Sequence, residues 1–79
     1  MAKIEFEGAK FEYDASALKK YSVIKAISGT GTPQEFFAAF DKVFKGKADE
    51  YADKLDDSFE RMAGLLNAIV LKEGGEAKN

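Results

Sequence analysis

The densest group of side chains able to carry chemistry is an acidic run within residues 48–57. Five carboxylates and one lysine, Lys54, give this run a formal charge of −4. Paired carboxylates can exchange protons with a substrate or bind a hard cation, but the run lacks the alternating oxygen ligands and central glycine of a calcium loop. We interpret it as a solvated acidic face or a helix-capping run, with weak cation binding and docking to a basic partner as the alternatives. Its acids are Asp49, Glu50, Asp53, Asp56 and Asp57.

Nucleophilic catalysis is the second chemistry to consider, and it requires a base within hydrogen-bonding reach of the nucleophile. The chain has no histidine and no cysteine, which removes the commonest general base and the best zinc ligands. A serine–lysine pair is formally available through Ser16 or Ser22 with Lys19 or Lys25. Helix capping and solvation explain these four residues more simply. We therefore expect a non-enzymatic protein with no catalytic residue, no metal and no cofactor.

A possible modification site lies at Ser58. The tripeptide Asp57-Ser58-Phe59 is similar to the Asp-Ser-Leu attachment site of acyl carrier proteins, which are also small, acidic and helical. However, Ser58 lies late in the chain and leaves room for only one following helix. A helix N-cap is the simpler explanation. A small acidic carrier or adaptor domain modified at Ser58 is therefore the alternative function.

A phenylalanine-rich segment favours function by contact. Thr32 and Glu35 can form a capping box, Pro33 suits the first helical position, and Gly46 suits the end, which predicts a helix over residues 33–45. At about 100° per residue, its four phenylalanines and Val43 fall within roughly 120° of the helix circumference. Most of this stripe is expected to be core, with one edge exposed as a binding surface. The phenylalanines Phe36, Phe37, Phe40 and Phe44 are candidate partner-binding residues, with Phe37 at the rim and Phe40 at the centre.

The composition narrows the class of partner. The chain has 79 residues, of which 33% are charged, yet its net charge is only −2. This balance argues against nucleic-acid binding, which requires a clustered basic face. No apolar run approaches the 18 or so residues of a membrane span. A domain below about 80 residues has a small core, and without disulfides or zinc we expect support from self-association or partner binding.

The hydrophobic pattern predicts an α+β fold, in which an N-terminal β-hairpin precedes a small bundle of three to four helices. Alternating residues form the hairpin, with a tight turn at Gly8. We predict one domain over residues 1–73 and a flexible tail over residues 74–79. The predicted elements are a hairpin at 3–13 and helices at about 15–28, 33–45, 48–54 and 58–72.

The first and last helices carry different apolar patterns. The first has apolar residues at every third position, which form one broad face. Val23 lies off that face, so we expect this helix either to be covered on two sides or to break near Ser22. The last is the most regular amphipathic segment, and Leu71 falls outside its apolar arc, so we expect Leu71 to be exposed or engaged by a partner. The predicted face of the first helix consists of Leu18, Tyr21, Ile24 and Ile27.

The order of these segments resembles the small tail assembly chaperones of long-tailed phages, in their short form. Residues 4–8 (Ile-Glu-Phe-Glu-Gly) and 11–14 (Phe-Glu-Tyr-Asp) resemble the opening hairpin of that family. Residues 17–18 and 21–27 are similar to its first helix, and 40–46 (Phe-Asp-Lys-Val-Phe-Lys-Gly) to its central helix with its glycine stop. The amphipathic last helix and the terminal Lys78-Asn79 also fit. The acidic run matches no feature of the family.

The resemblance implies a role in tail morphogenesis. Such chaperones bind the long tape-measure protein, keep its apolar helical segments soluble and help to recruit tail tube subunits. It further implies a cytoplasmic location in the infected bacterial host, absence from the mature virion and possible homo-oligomers. It assigns no catalytic residue.

Overall fold

A computed structural model describes residues 2–30 and 32–77, with the side chains of residues 29, 30 and 74–77 left aside. The two strands are β1, Ala2–Phe6, and β2, Ala9–Tyr13, and they form an antiparallel hairpin. Helical segments follow, so the predicted α+β class is confirmed. These are a 3₁₀ helix, Ala15–Lys19; α1, Tyr21–Lys25; a π-helical turn, Ala26–Thr30; α2, Pro33–Phe44; α3, Ala48–Lys54; and α4, Phe59–Ala77.

The hairpin follows the predicted alternation. Its register pairs Ile4 with Phe11, and the two-residue turn consists of Glu7 at φ 52° and Gly8 at φ 82°. Positive φ at both turn residues matches the right-handed twist of the strands. Phe11 and Tyr13 are fully buried beneath the sheet, while the alternate residues face solvent.

The predicted helix over residues 15–28 is broken into three pieces. Asp14 accepts a hydrogen bond from the Ser16 amide at 3.0 Å and begins the 3₁₀ helix. Lys20 then adopts an extended conformation (φ −73°, ψ 143°), so the break lies two residues before the predicted position at Ser22. A π-helical turn follows α1 and carries the helical backbone to Thr30. Gly31, part of the predicted linker, lies outside the described residues.

The predicted apolar face of the first helix is right at Leu18 and Ile27, which pack half-buried against the core, but wrong at Tyr21 and Ile24. Val23 and Ala26 are fully buried, whereas Tyr21 is 78% and Ile24 47% exposed. The break at Lys20 is the physical reason. A 3₁₀ helix advances 120° per residue and an extended residue interrupts the helix, so the every-third-residue spacing does not define one face across the break.

Helix α2 begins as predicted. Thr32 Oγ1 accepts from the Glu35 amide at 3.3 Å, and the Thr32 amide donates to Glu35 Oε1 at 2.8 Å, which completes the capping box. At the other end, Lys45 and Gly46 both have positive φ, and the Gly46 amide donates to the Asp41 carbonyl at 3.1 Å. The helix therefore stops at Phe44, one residue before the predicted end.

Helix α3 has the predicted bounds, whereas α4 is longer than predicted. The Ser58 hydroxyl accepts from the Arg61 amide at 3.2 Å, which confirms Ser58 as a helix cap. Helix α4 continues to Ala77, past the predicted end near residue 72 and through most of the predicted tail. Glu73 accepts a hydrogen bond from the Tyr13 hydroxyl. This tertiary contact holds the helical turn directly before Gly74 and Gly75, the two glycines with which the predicted tail begins. Lys78 and Asn79 lie outside the described residues.

The core lies where the hairpin, α2 and α3 meet. The Tyr51 ring packs edge-on against Phe11, with centroids 5.0 Å apart, and against Phe44 at 5.2 Å. The Tyr51 hydroxyl also accepts from the Glu12 amide at 3.2 Å. Leu55, the residue after α3, is buried as well, so Tyr51 and Leu55 together anchor α3 to the core. Helix α4 contributes Met62, Leu65, Leu66 and Ile69.

Candidate partner-binding groove

An open groove lies between α2, α3 and the beginning of α4, with a volume of about 460 Å³. Its floor is apolar, because Phe40 from α2 and Met62 from α4 are each only 3% exposed. Ala48 and Ala52 of α3 form one wall, and their short side chains leave the floor accessible. The lining residues are Phe37, Phe40, Asp41, Ala48, Asp49, Ala52, Asp57, Ser58, Phe59 and Met62.

Two aromatic rings form one rim of the groove. Phe37 is 56% and Phe59 40% exposed, and their rings meet edge to face with centroids 5.7 Å apart. Phe36 is half-buried and contacts Phe59 in the same geometry at 5.6 Å. Single exposed apolar residues are common on protein surfaces, but a contiguous aromatic patch beside a groove is typical of an interaction site.

Three carboxylates form the rest of the rim. Asp41, Asp49 and Asp57 are exposed, and none of them makes an ion pair with any described residue. Within residues 2–30 and 32–77, no group of acidic residues is arranged to hold a metal ion. The groove therefore combines an apolar floor with an anionic edge, which favours an apolar ligand that carries positive charge.

A strained turn brings α4 to the groove. Asp56 and Asp57 have φ of 61° and 55°, a left-handed conformation that aspartate adopts more readily than most non-glycine residues. The Asp57 amide donates to the Ala52 carbonyl at 2.7 Å, and the Asp56 carboxylate pairs with Arg61 at 2.6 Å. These contacts reverse the chain between α3 and α4 and place Phe59 beside Phe37.

The predicted partner-binding residues do not share one environment. Phe37 is exposed and Phe40 is buried, as expected for the rim and the centre of the apolar face of α2, and their role in binding a partner stays a prediction. Phe36 is half-buried beside the rim, whereas Phe44 is fully buried against Tyr51. Leu71 is 75% exposed, but it lies outside the groove, about 18 Å along α4 from Phe59 at 1.5 Å per residue.

Neither a family model, nor a curated protein, nor a solved structure matches this chain. The resemblance to tail assembly chaperones therefore remains a prediction from the sequence. In the described part of the chain, no helix has the length and hydrophobicity required to cross a bilayer.

The serines with candidate chemistry have ordinary structural partners. The Ser16 hydroxyl donates to Asp14 at 2.6 Å, and the Ser22 hydroxyl accepts from Lys42 at 2.6 Å at the surface. Neither contact is one of the predicted pairs with Lys19 or Lys25. Ser58 lies on the groove wall as a helix cap.

The titratable groups with displaced pKa values lie away from the groove. Burial raises the pKa of Tyr13 far above its ordinary value, and the hydrogen bond to the Glu73 carboxylate adds to the rise. The ion pair with Lys25, at 2.9 Å, lowers the pKa of Glu35. The hydrogen bond from Ser16 lowers the pKa of Asp14. The contacts of Tyr13, Glu35 and Asp14 stabilise the fold rather than the groove.

Phe59 and the three rim aspartates are functional candidates that the sequence did not single out together. Phe59 belongs to the apolar arc of α4, which predicts a buried position. Phe37 and Phe59 are 22 positions apart in the sequence, and only the packing of α4 against α2 and α3 brings them together. Two separate signals pointed to parts of this surface: the exposed edge predicted at Phe37, and the acidic run, for which docking to a basic partner was one alternative.

Proposed function

We propose that this chain is a non-enzymatic phage tail assembly chaperone that binds the tape-measure protein, keeps it soluble and helps to recruit tail tube subunits. It acts in the cytoplasm of the infected bacterial host and is absent from the mature virion. The proposal combines the order of sequence segments with one structural observation, the open groove with Phe37 and Phe59 exposed at its rim. An apolar stripe of a helical partner fits such a groove.

The size of the apolar surface indicates how this binding operates. The exposed parts of Phe37 and Phe59 together equal about one whole phenylalanine side chain, whose burial gives a gross hydrophobic gain of about 1.5–3 kcal/mol. Association itself costs an estimated 4–15 kcal/mol. One groove therefore binds weakly by itself. Copies that are joined to one another overcome this limit, because once one groove is bound, the others meet the next apolar segments of the same long partner at a raised effective concentration.

Co-expression with a tape-measure protein tests the proposal. We expect the wild-type chain to raise the soluble fraction of that protein and to co-purify with it. Phe37→Ser should lose most of this effect while remaining folded. The comparison variant is Leu71→Ser, which removes an apolar side chain that is even more exposed than Phe37 (75% against 56%) but lies outside the groove, and it should retain the effect. Failure of the wild-type chain to solubilise its partner, or equal effects of the two variants, would contradict the groove-based role.

The alternative function is a carrier or adaptor domain modified at Ser58. The observation in its favour is the position of Ser58, half-buried on the groove wall at the start of α4 and directly after Asp57. Incubation with a phosphopantetheinyl transferase and coenzyme A, followed by intact mass measurement, separates the two functions. We expect no mass gain. A gain that Ser58→Ala abolishes would favour the carrier function.

A further inference from the structure

A second exposed apolar surface lies on α1, away from the groove. Tyr21 is 78% and Ile24 47% exposed, and because they are three residues apart on one helix, they lie on the same side of it. Lys19 and Lys20 directly precede them and are exposed, and neither lysine has an ion-pair partner among the described residues. We call these four residues the α1 patch.

The α1 patch is cationic, although the whole chain has a net charge of −2. Residues 15–30 contain three lysines and no acidic residue. One of the three, Lys25, pairs with Glu35 at 2.9 Å, which leaves the charges of Lys19 and Lys20 unbalanced. An apolar surface with a cationic edge complements a partner that carries carboxylates beside apolar side chains.

The α1 patch and the groove lie on different sides of α2. Lys42 donates to Ser22 of α1 at 2.6 Å and so marks the side of α2 that packs against α1. The groove uses the side that carries Phe37. At about 100° per residue, Phe37 and Lys42 point about 140° apart around the helix. A ligand in the groove therefore leaves the α1 patch accessible.

We propose that the α1 patch binds an acidic amphipathic helix of a different protein. Tyr21 and Ile24 form a ridge with three-residue spacing, which can pack between the side chains of a facing helix. Lys19 and Lys20 then face glutamates or aspartates at the edge of the apolar stripe of that helix. The chain thereby holds two partners at once, one in the groove and one on α1. This inference does not depend on the chaperone role, since it uses no residue of the groove.

The small size of the α1 patch favours a protein helix over other anionic partners. Helix α1 has five residues and is therefore about 7.5 Å long. A helix that lies in a membrane surface needs a much larger apolar face, and affinity for nucleic acid is built from several phosphate contacts rather than two. The net charge of −2 also opposes the approach of either polyanion.

A synthetic peptide of about 18 residues, long enough to form a helix, tests the binding. It carries leucines at three- and four-residue spacing with glutamates beside them, and in the control peptide lysines replace the glutamates. In nuclear magnetic resonance titrations of the isotope-labelled protein, we expect the acidic peptide to shift the signals of residues 19–24. The basic peptide should leave those signals unchanged. Raising the salt concentration from about 0.05 M to about 0.5 M should weaken binding of the acidic peptide by roughly tenfold.

Two variants with matched controls locate the contact. Lys20→Glu reverses one charge of the patch and Tyr21→Ser removes its largest apolar side chain, so each should weaken binding of the acidic peptide by about tenfold or more. Lys10→Glu makes the same charge change at an exposed lysine of β2, and Leu71→Ser removes a side chain of nearly the same exposure as Tyr21, 75%. Both controls should bind like the wild type. Circular dichroism verifies that all four variants are folded.

Several results would overturn the proposal. One is a wild-type chain that does not bind the acidic peptide at about 1 mM, and another is an equal effect of Lys20→Glu and Lys10→Glu. Tighter binding to single-stranded DNA, or to vesicles of equimolar phosphatidylcholine and phosphatidylglycerol, would assign the α1 patch to a different class of ligand. If Lys20→Glu and Tyr21→Ser instead break up a self-associated protein in sedimentation velocity, another copy of the chain covers the patch.

Discussion

Two serine substitutions on α2 separate its buried face from its exposed edge. Phe40 is 3% exposed, so Phe40→Ser removes a buried ring at about 3–5 kcal/mol and buries an unpaired hydroxyl at about 1–3 kcal/mol. This total exceeds the roughly 3–5 kcal/mol that a core of this size supplies. Phe37 is 56% exposed, and its buried remainder contributes only about 1 kcal/mol. Because both variants make the same change within one helix, differences in helix propensity cancel.

Thermal and urea unfolding followed by far-ultraviolet circular dichroism measure this contrast. We expect Phe40→Ser to be unfolded at 25 °C. Phe37→Ser should unfold cooperatively, with a Tm lower by about 4–8 °C, the shift that 1 kcal/mol produces in a domain of this size. Equal losses of stability, or a greater loss for Phe37→Ser, would refute the assignment of Phe40 to the core and Phe37 to the rim.

Three further predictions each concern one local feature that stabilises the fold: a hydrogen bond, a helix cap and a turn. Tyr13→Phe should lower the free energy of unfolding near pH 7 by about 1 kcal/mol. Because the native pKa of Tyr13 is raised, the stabilisation by its hydroxyl is present below about pH 10 and is lost above it. Urea titrations should therefore show the difference in unfolding free energy between wild type and variant decreasing from about pH 9 to about pH 11. Thr32→Ala removes the α2 cap and should lower the Tm by about 4–8 °C, whereas an unchanged Tm would show that the capping box contributes nothing. Gly8→Ala should lower the free energy of unfolding measured in urea by about 1–2 kcal/mol, because alanine is strained at the positive φ of this position. The added methyl group meets no neighbouring atom within 4 Å, so the backbone conformation alone accounts for the loss. An unchanged stability would contradict the turn geometry.

Local signals predicted the elements that depend on neighbouring residues. The alternation of residues 3–13 and the turn at Gly8 fix the hairpin, because strand faces and turn conformations are decided within a few residues. The capping residues of α2 fix its start for the same reason. The amphipathic pattern of α4 also predicted its buried positions beyond Phe59, which are Met62, Leu65, Leu66 and Ile69.

Tertiary packing decided the features that the sequence did not predict. A break was predicted near Ser22, but no local stop residue marks its actual position at Lys20, which turns α1 so that Val23 faces the core. The glycines after Glu73 predicted a helix end, but the contact of Glu73 with Tyr13, 60 positions earlier, supports the helix across that point. The groove combines residues of three helices, so it has no counterpart in any single segment.

The position of Tyr51 has a consequence for the order of folding. A two-stranded hairpin by itself is marginally stable in water. Here the ring of Tyr51, which belongs to α3 and follows α2 in the chain, packs against the inner face of the hairpin. The amide of Glu12 and the ring of Phe11 reach their partner together when α3 arrives. The hairpin therefore becomes stably ordered only after α2 and α3, which follow it in the chain, and a peptide of residues 1–14 should show no hairpin by nuclear magnetic resonance.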